Sequence, residues 1–196
     1  MMDGAMEKLD RRKVLAAVLK ERGNTLVVPG LGTANYDLFA VSPADENAYM
    51  WNAMGLTVSV GLGLAVAQPA RRVLVVTGDG EMMMGIGSLC VVAAQAAKNL
   101  GILVLDNEMF EETGAQTGLS AARADISRIA LGAGFEKTMI VRSHDEAARL
   151  ADFLLKEEGP VLAVAKVTPS AGKPVYPTMD GPGIVRTFRA AVLGQA

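Results

Sequence analysis

Two apolar runs constrain this chain most, because each stops at a polar tip. Arg72-Val-Leu-Val-Val-Thr77 ends in Gly78-Asp79-Gly80, and Gly101-Ile-Leu-Val-Leu105 ends in Asp106-Asn107. Short apolar runs without alternation predict parallel strands buried on both faces. Glu81 to Leu100 reads as the helix that joins them. Asp79 and Asn107 therefore fall at the carboxyl ends of two parallel strands, the edge where open α/β sheets bind ligands. If the strands are neighbours, these tips lie about 5 Å apart.

The rest of the chain alternates in the same way. Asp10 caps a helix over Arg11 to Arg22 that Gly23 ends, and Thr25 to Val28 is the first strand. Pro29-Gly30-Leu31-Gly32-Thr33 is a glycine-rich turn opening a helix through Phe39. Gly55 to Gln68 is a helix whose small residues Gly55, Ser59 and Gly63 share one face, for close contact with a neighbouring element. Cys90 is expected in the core of an apolar helix over Leu89 to Ala97. Asp125 caps Ile126 to Leu131, Thr138 to Val141 is a strand, and Ser143-His-Asp-Glu146 has the form of a capping box. That box opens a helix through Leu155 and leaves His144 exposed in its first turn. Pro160 to Val167 is the last strand, and Ile184 to Leu193 closes as an amphipathic helix. Thr168 to Pro182, rich in Pro and Gly, is expected to lie on a partner. The predicted architecture is α/β, a three-layer doubly wound, mostly parallel sheet of about six strands with helices on both faces. One domain over residues 1–196 accommodates it.

Composition narrows the function. A formal net charge of −2 and no basic run longer than Arg71-Arg72 argue against nucleic acid. No apolar run reaches the ~18 residues a membrane span needs, and residues 1–10 carry no apolar leader core, so the expected location is cytoplasmic. The single cysteine excludes an internal disulfide or a cysteine-built metal cluster. The paired glycines Gly61 and Gly63 leave a Rossmann-like nucleotide-binding module as the rival from another class.

The residue types at the two tips suit a small hard cation carrying phosphates. Mg²⁺ wants about six oxygens near 2.1 Å, with one or two from carboxylates and others from phosphate. Asp79 offers a charged oxygen, Asn107 a neutral one, and the backbone past Asn107 a carbonyl. Gly78 and Gly80 lack the Cβ that would hold phosphates off the main chain.

Gly78-Asp79-Gly80, then twenty-six residues, then Asn107 resembles the cofactor motif of thiamine diphosphate enzymes. Asn52-Ala53-Met54-Gly55 is similar to the segment that cradles the aminopyrimidine in their decarboxylase branch. Leu105-Asp106-Asn107-Glu108 with Thr113-Gly114 narrows the likeness to sulfopyruvate and phosphonopyruvate decarboxylases. The resemblance implies thiamine diphosphate and Mg²⁺ as cofactors, the metal held by Asp79, Asn107 and the backbone carbonyl of Met109. Gly32, Thr33, Asn52, Met54, Gly78, Asp79, Gly80, Glu81, Asn107 and Phe110 are the implied cofactor contacts. Glu81 departs from the small residue common after the motif, and its carboxylate would repel a diphosphate unless it points away. The resemblance also implies a catalytic glutamate on a pyrimidine-binding domain, for which this chain has no room. The expectation is thus no catalytic residue in this chain and a partner subunit that supplies one, in an oligomer acting on a small 2-oxo acid. A carboligase or 2-oxoacid oxidoreductase subunit sharing the module is the alternative.

Overall fold

The computed structural model describes residues 8–169 and 172–194; most of residues 1–10, read above for an apolar leader core, residues 170–171 of the Pro/Gly connection and residues 195–196 lie outside them. Five strands form one fully parallel sheet: β1 (Leu26–Pro29), β2 (Val73–Gly78), β3 (Leu100–Asp106), β6 (Lys137–Val141) and β7 (Val161–Lys166), in the order β1-β2-β3-β7-β6. Its five strands compare with an expected six or so. A separate two-stranded ribbon, β4 (Met109–Phe110) with β5 (Gln116–Thr117), follows β3.

The continuous apolar runs are explained by two cores, one on each face. Leu74, Val76, Leu103, Leu105, Ala163 and Ala165 point to one side; Val73, Val75, Ile102, Val104, Leu162 and Val164 point to the other. The period of two within each strand thus feeds both layers. The first face is covered by α1 (Arg11–Leu19), α2 (Thr33–Val41) and α9 (Leu150–Leu155). The second is covered by α3 (Thr57–Ala67), α5 (Ser88–Gln95) and α7 (Ile126–Ala133), with Phe188 and Val192 of α10 (Gly181–Leu193) at its rim.

Local signals act where they were read. Asp10 accepts from Lys13 N–H, Asp125 from Arg128 N–H, and Ser143 with Glu146 forms the full capping box of α8 (His144–Ala147). His144 is exposed. Tertiary contacts change other expectations. The helix expected from Glu81 breaks into α4 (Asp79–Met84) and α5, because Gly85 lies against Gly55: a Cβ on Gly85 would fall 1.8 Å from the Gly55 carbonyl. The helix from Ser143 likewise splits into α8 and α9. The close contact made inside α3 belongs to Gly61, whose Cβ would meet Val75 at 2.2 Å, while Ser59 and Gly63 face solvent. Cys90 is exposed rather than in the core. The connection after β7 makes contacts with its own chain, which leave the expected partner contact untested: Trp51 Nε1 donates to Thr178 O at 2.7 Å and Tyr176 packs edge-on to Tyr36. No helix among the described residues is long and apolar enough to cross a membrane.

Candidate functional site

The β2–β3 register pairs Gly78 with Leu105, so Asp79 and the Asp106-Asn107 tip leave adjacent strands on the same edge. Asp79 starts α4 directly and is only 3% exposed. Its Oδ2 accepts from Ser120 Oγ at 2.8 Å, and the same hydroxyl lies 2.8 Å from Asp106 Oδ1. Asp106 is neutralised by Lys166 at 2.6 Å, whereas Asp79 makes no ion pair with a Lys or Arg among the described residues. Burial pushes the Asp79 carboxyl above its usual range and Asp106 adds to this, while the Ser120 bond opposes. A buried carboxylate without a cationic side chain is a fitting ligand for a bound cation. No three His, Cys, Asp or Glu groups among the described residues converge as a metal cage. A cation here would draw on mixed donors, one carboxylate with amide and carbonyl oxygens.

Asn107 is held at both ends of its amide. Its Oδ1 accepts from Met109 N–H at 3.0 Å and its Nδ2 donates to Glu111 Oε2 at 2.8 Å. Glu108 between them is left-handed, with φ 68°, an unusual cost for a side chain other than glycine. Gly118 closes the turn by donating to Glu108 O at 2.8 Å. A Cβ there would come 2.9 Å from Asp79 Oδ2. Above Gly80 sits the ring of Phe110, and Gly32 takes φ 84° where β1 turns into α2.

Glu81 resolves its own difficulty by turning inward. It is 4% exposed, and its carboxylate accepts from the hydroxyls of Thr57 and Thr77. A Cβ on Gly30 would collide with it at 1.7 Å, so the glycine makes room for the acid.

All the candidate cofactor and metal residues read from the sequence except Asn52 line one open cleft. Met54 stands at its rim, 46% exposed, between the left-handed residues Ala53 and Gly55. Asn52 is exposed outside the lining. Arg11, Ser120 and Lys166 were not anticipated as part of this neighbourhood; nothing local marks them, since their partners lie far along the chain.

The profile of the family described as thiamine pyrophosphate enzyme, C-terminal TPP binding domain, matches residues 34–165. The chain belongs to this family. The subunit beta of sulfopyruvate decarboxylase from Methanothermobacter thermautotrophicus is 33% identical over 190 residues, 96% of this chain and 97% of that protein. The phosphonopyruvate decarboxylase of Streptomyces viridochromogenes is 35% identical over 170 residues, 85% of this chain but 42% of that longer protein. A solved structure from Mycobacterium smegmatis, described as thiamin diphosphate-dependent, superposes with a TM-score of 0.71 at 22% identity. It covers 83% of this chain and 32% of that one. The shared fold is that of this TPP-binding domain. The glycines Gly61 and Gly63 fall inside α3 rather than at a strand-to-helix turn, which removes the structural context a dinucleotide loop requires.

Proposed function

We propose that this chain is the β-type subunit of a thiamine diphosphate-dependent decarboxylase of small acidic 2-oxo acids, of the sulfopyruvate or phosphonopyruvate kind. The observation that carries the reading is the joining of Asp79, Asn107, Met109, Gly78 and Gly80 in one cleft, in a chain matched nearly end to end by a decarboxylase β subunit. Asp79, Asn107 and the Met109 carbonyl would hold Mg²⁺. The open face of Gly78, where a Cβ would meet nothing within 4 Å, leaves room for phosphate oxygens against the backbone. Thiamine diphosphate, when bound, supplies an electron sink for the pair left as CO₂ departs.

The chain's own acids support a half-site. Each acid lining the cleft is engaged: Asp79 with Ser120, Glu81 with two threonines, Glu111 with Arg11 and Asn107, and Glu112 with Tyr36. None is left to act on the coenzyme's pyrimidine, so a partner would provide that glutamate. Leu56, Val60 and Met84 are exposed around the rim that holds Met54, an apolar face suited to a second subunit.

Reconstitution tests this. The chain with a pyrimidine-domain subunit is expected to decarboxylate a member of a 2-oxo acid panel, and the chain alone is expected to be inactive. Thiamine diphosphate with Mg²⁺ should raise the melting temperature of the pair, NAD should not, and Asp79→Asn should abolish the shift. At a ligand concentration of 100 Kd the stabilisation lost is about 2.7 kcal/mol. Full activity from this polypeptide alone would refute the half-site.

A further inference from the structure

Arg11 opens α1, a segment that sequence periodicity treats as an ordinary surface helix, yet its side chain is 5% exposed. It ion-pairs with the equally buried Asp37 of α2, and Arg12 Nε reaches the same carboxylate at 2.7 Å. From this anchor Arg11 Nη1 extends 2.9 Å to Glu111 Oε2, in the short 3-10 turn after β4. That same Oε2 is the acceptor for Asn107 Nδ2. Among the described residues Arg11 is also the only cationic side chain lining the cleft, where Asp79, Glu111 and Glu112 all present acids.

We infer that Arg11 is a positioning residue for the cation-binding loop, acting through Glu111 to fix which end of the Asn107 amide faces the cation. This rests on the proposed reading that Asp79 and Asn107 hold a divalent ion. A carboxylate only accepts hydrogen bonds, so beside Glu111 the asparagine must present its NH₂. Beside Met109 N–H it must present its oxygen. A flipped amide would set oxygen against carboxylate and N–H against N–H, losing both bonds. Only the unflipped amide offers the oxygen that a hard cation needs. Glu111 keeps its place near other acids because Arg11 compensates its charge, and Arg11 keeps its place because Asp37 holds it. A buried pair thus transmits the position of α1 and α2, through Glu111, to the side chain of Asn107.

The test uses the full chain together with its partner subunit, thiamine diphosphate in excess, and Mn²⁺ as the paramagnetic probe of the site. Arg11→Ala would leave Asp37 with Arg12 as its cationic partner and empty a buried site, so it would perturb the fold as well as the loop. Glu111→Leu and Glu111→Gln leave the Arg11–Asp37 pair intact and carry the test. Glu111→Leu should weaken Mn²⁺ binding roughly 10–100-fold with the melting temperature of the metal-free protein nearly unchanged. Glu111→Gln, whose amide oxygen still accepts from Asn107, should recover most of that loss. Wild-type affinity in Glu111→Leu overturns the proposal. So does a parallel fall of metal-free stability and affinity that Glu111→Gln does not restore, which would make the residue merely structural. Failure of the unaltered complex to bind Mn²⁺ with thiamine diphosphate instead removes the functional reading beneath it.

Discussion

Glu81 Oε2 accepts a 2.6 Å hydrogen bond from the hydroxyl of Thr77, the last side chain of β2 before the glycine-aspartate-glycine tip. An acid two residues past Asp79 is thereby turned inward, into the wall of the cleft. Thr57 completes its pair of hydroxyl partners. Removing one leaves a buried acceptor short of a partner, which costs about 1–3 kcal/mol. Thr77→Val, nearly isosteric, is expected to lower unfolding stability by that amount with an unchanged urea m-value. A loss below about 0.5 kcal/mol would mean that water replaces the hydroxyl.

Gly61 and Gly63 sit two residues apart in α3 and should respond to alanine in opposite directions. At Gly61 the new methyl meets Val75, a β-branched side chain in the central sheet with little freedom to rotate away. Overpacking of about 1–3 kcal/mol is expected to exceed the helix-propensity gain. At Gly63 a methyl meets nothing within 4 Å, so Gly63→Ala should stabilise the chain by roughly 0.5–1 kcal/mol. If a partner subunit covers this face, the same Gly63→Ala should weaken assembly while raising the melting temperature of the chain alone. Sedimentation of the mixed subunits against thermal melts of the single chain separates the two effects.

How much of this was legible depends on where the cause lies. The strands of Val73 to Thr77 and Gly101 to Leu105 could be read because burial on both faces removes alternation, and their polar ends marked the sheet edge. Asp125 and Ser143 could be read as caps because a cap acts within four residues. The break at Gly85 could not, because it follows from a backbone approach to Gly55 thirty residues earlier. Cys90 sits in an apolar stretch whose periodicity does not say which face the sheet covers. Ser120 lies 41 residues from Asp79 and Arg11 lies 100 from Glu111, so no spacing rule joins them. Asp79 and Asn107 could be picked out from the sequence; Ser120, bonded to Asp79, and Arg11, linked to Asn107 through Glu111, could not.

The capping box of α8 predicts a pH effect away from the site. Glu146 accepts from the backbone N–H groups of Arg142 at 2.6 Å and Ser143 at 3.2 Å, and these bonds hold its carboxyl below the usual range. A depressed carboxylate stabilises the fold above its unfolded pKa and loses that contribution as pH falls through its folded value. Hydrogen exchange at the Arg142 and Ser143 amides should therefore show protection that declines on acidification below 4.5, the carboxyl's ordinary value. In Glu146→Gln that decline should disappear. A variant that keeps the same pH profile would assign the protection to some other acid.

Phe110 roofs Gly80 so closely that a Cβ on the glycine would fall 2.8 Å from the ring. The ring is the free end of a partly exposed side chain, so Gly80→Ala should fold with little change in stability and displace the ring instead. The displacement would open the cleft above the backbone N–H groups that start α4. Thiamine diphosphate binding in the assembled protein, followed by tryptophan-independent calorimetry, is therefore expected to weaken about tenfold, or 1.4 kcal/mol. The double variant assigns the cause. If the loss passes through the ring, Gly80→Ala in a Phe110→Ala background should cost almost nothing further, giving a coupling energy as large as the single effect. Additive losses would instead mean that the methyl blocks the phosphates directly, independently of Phe110.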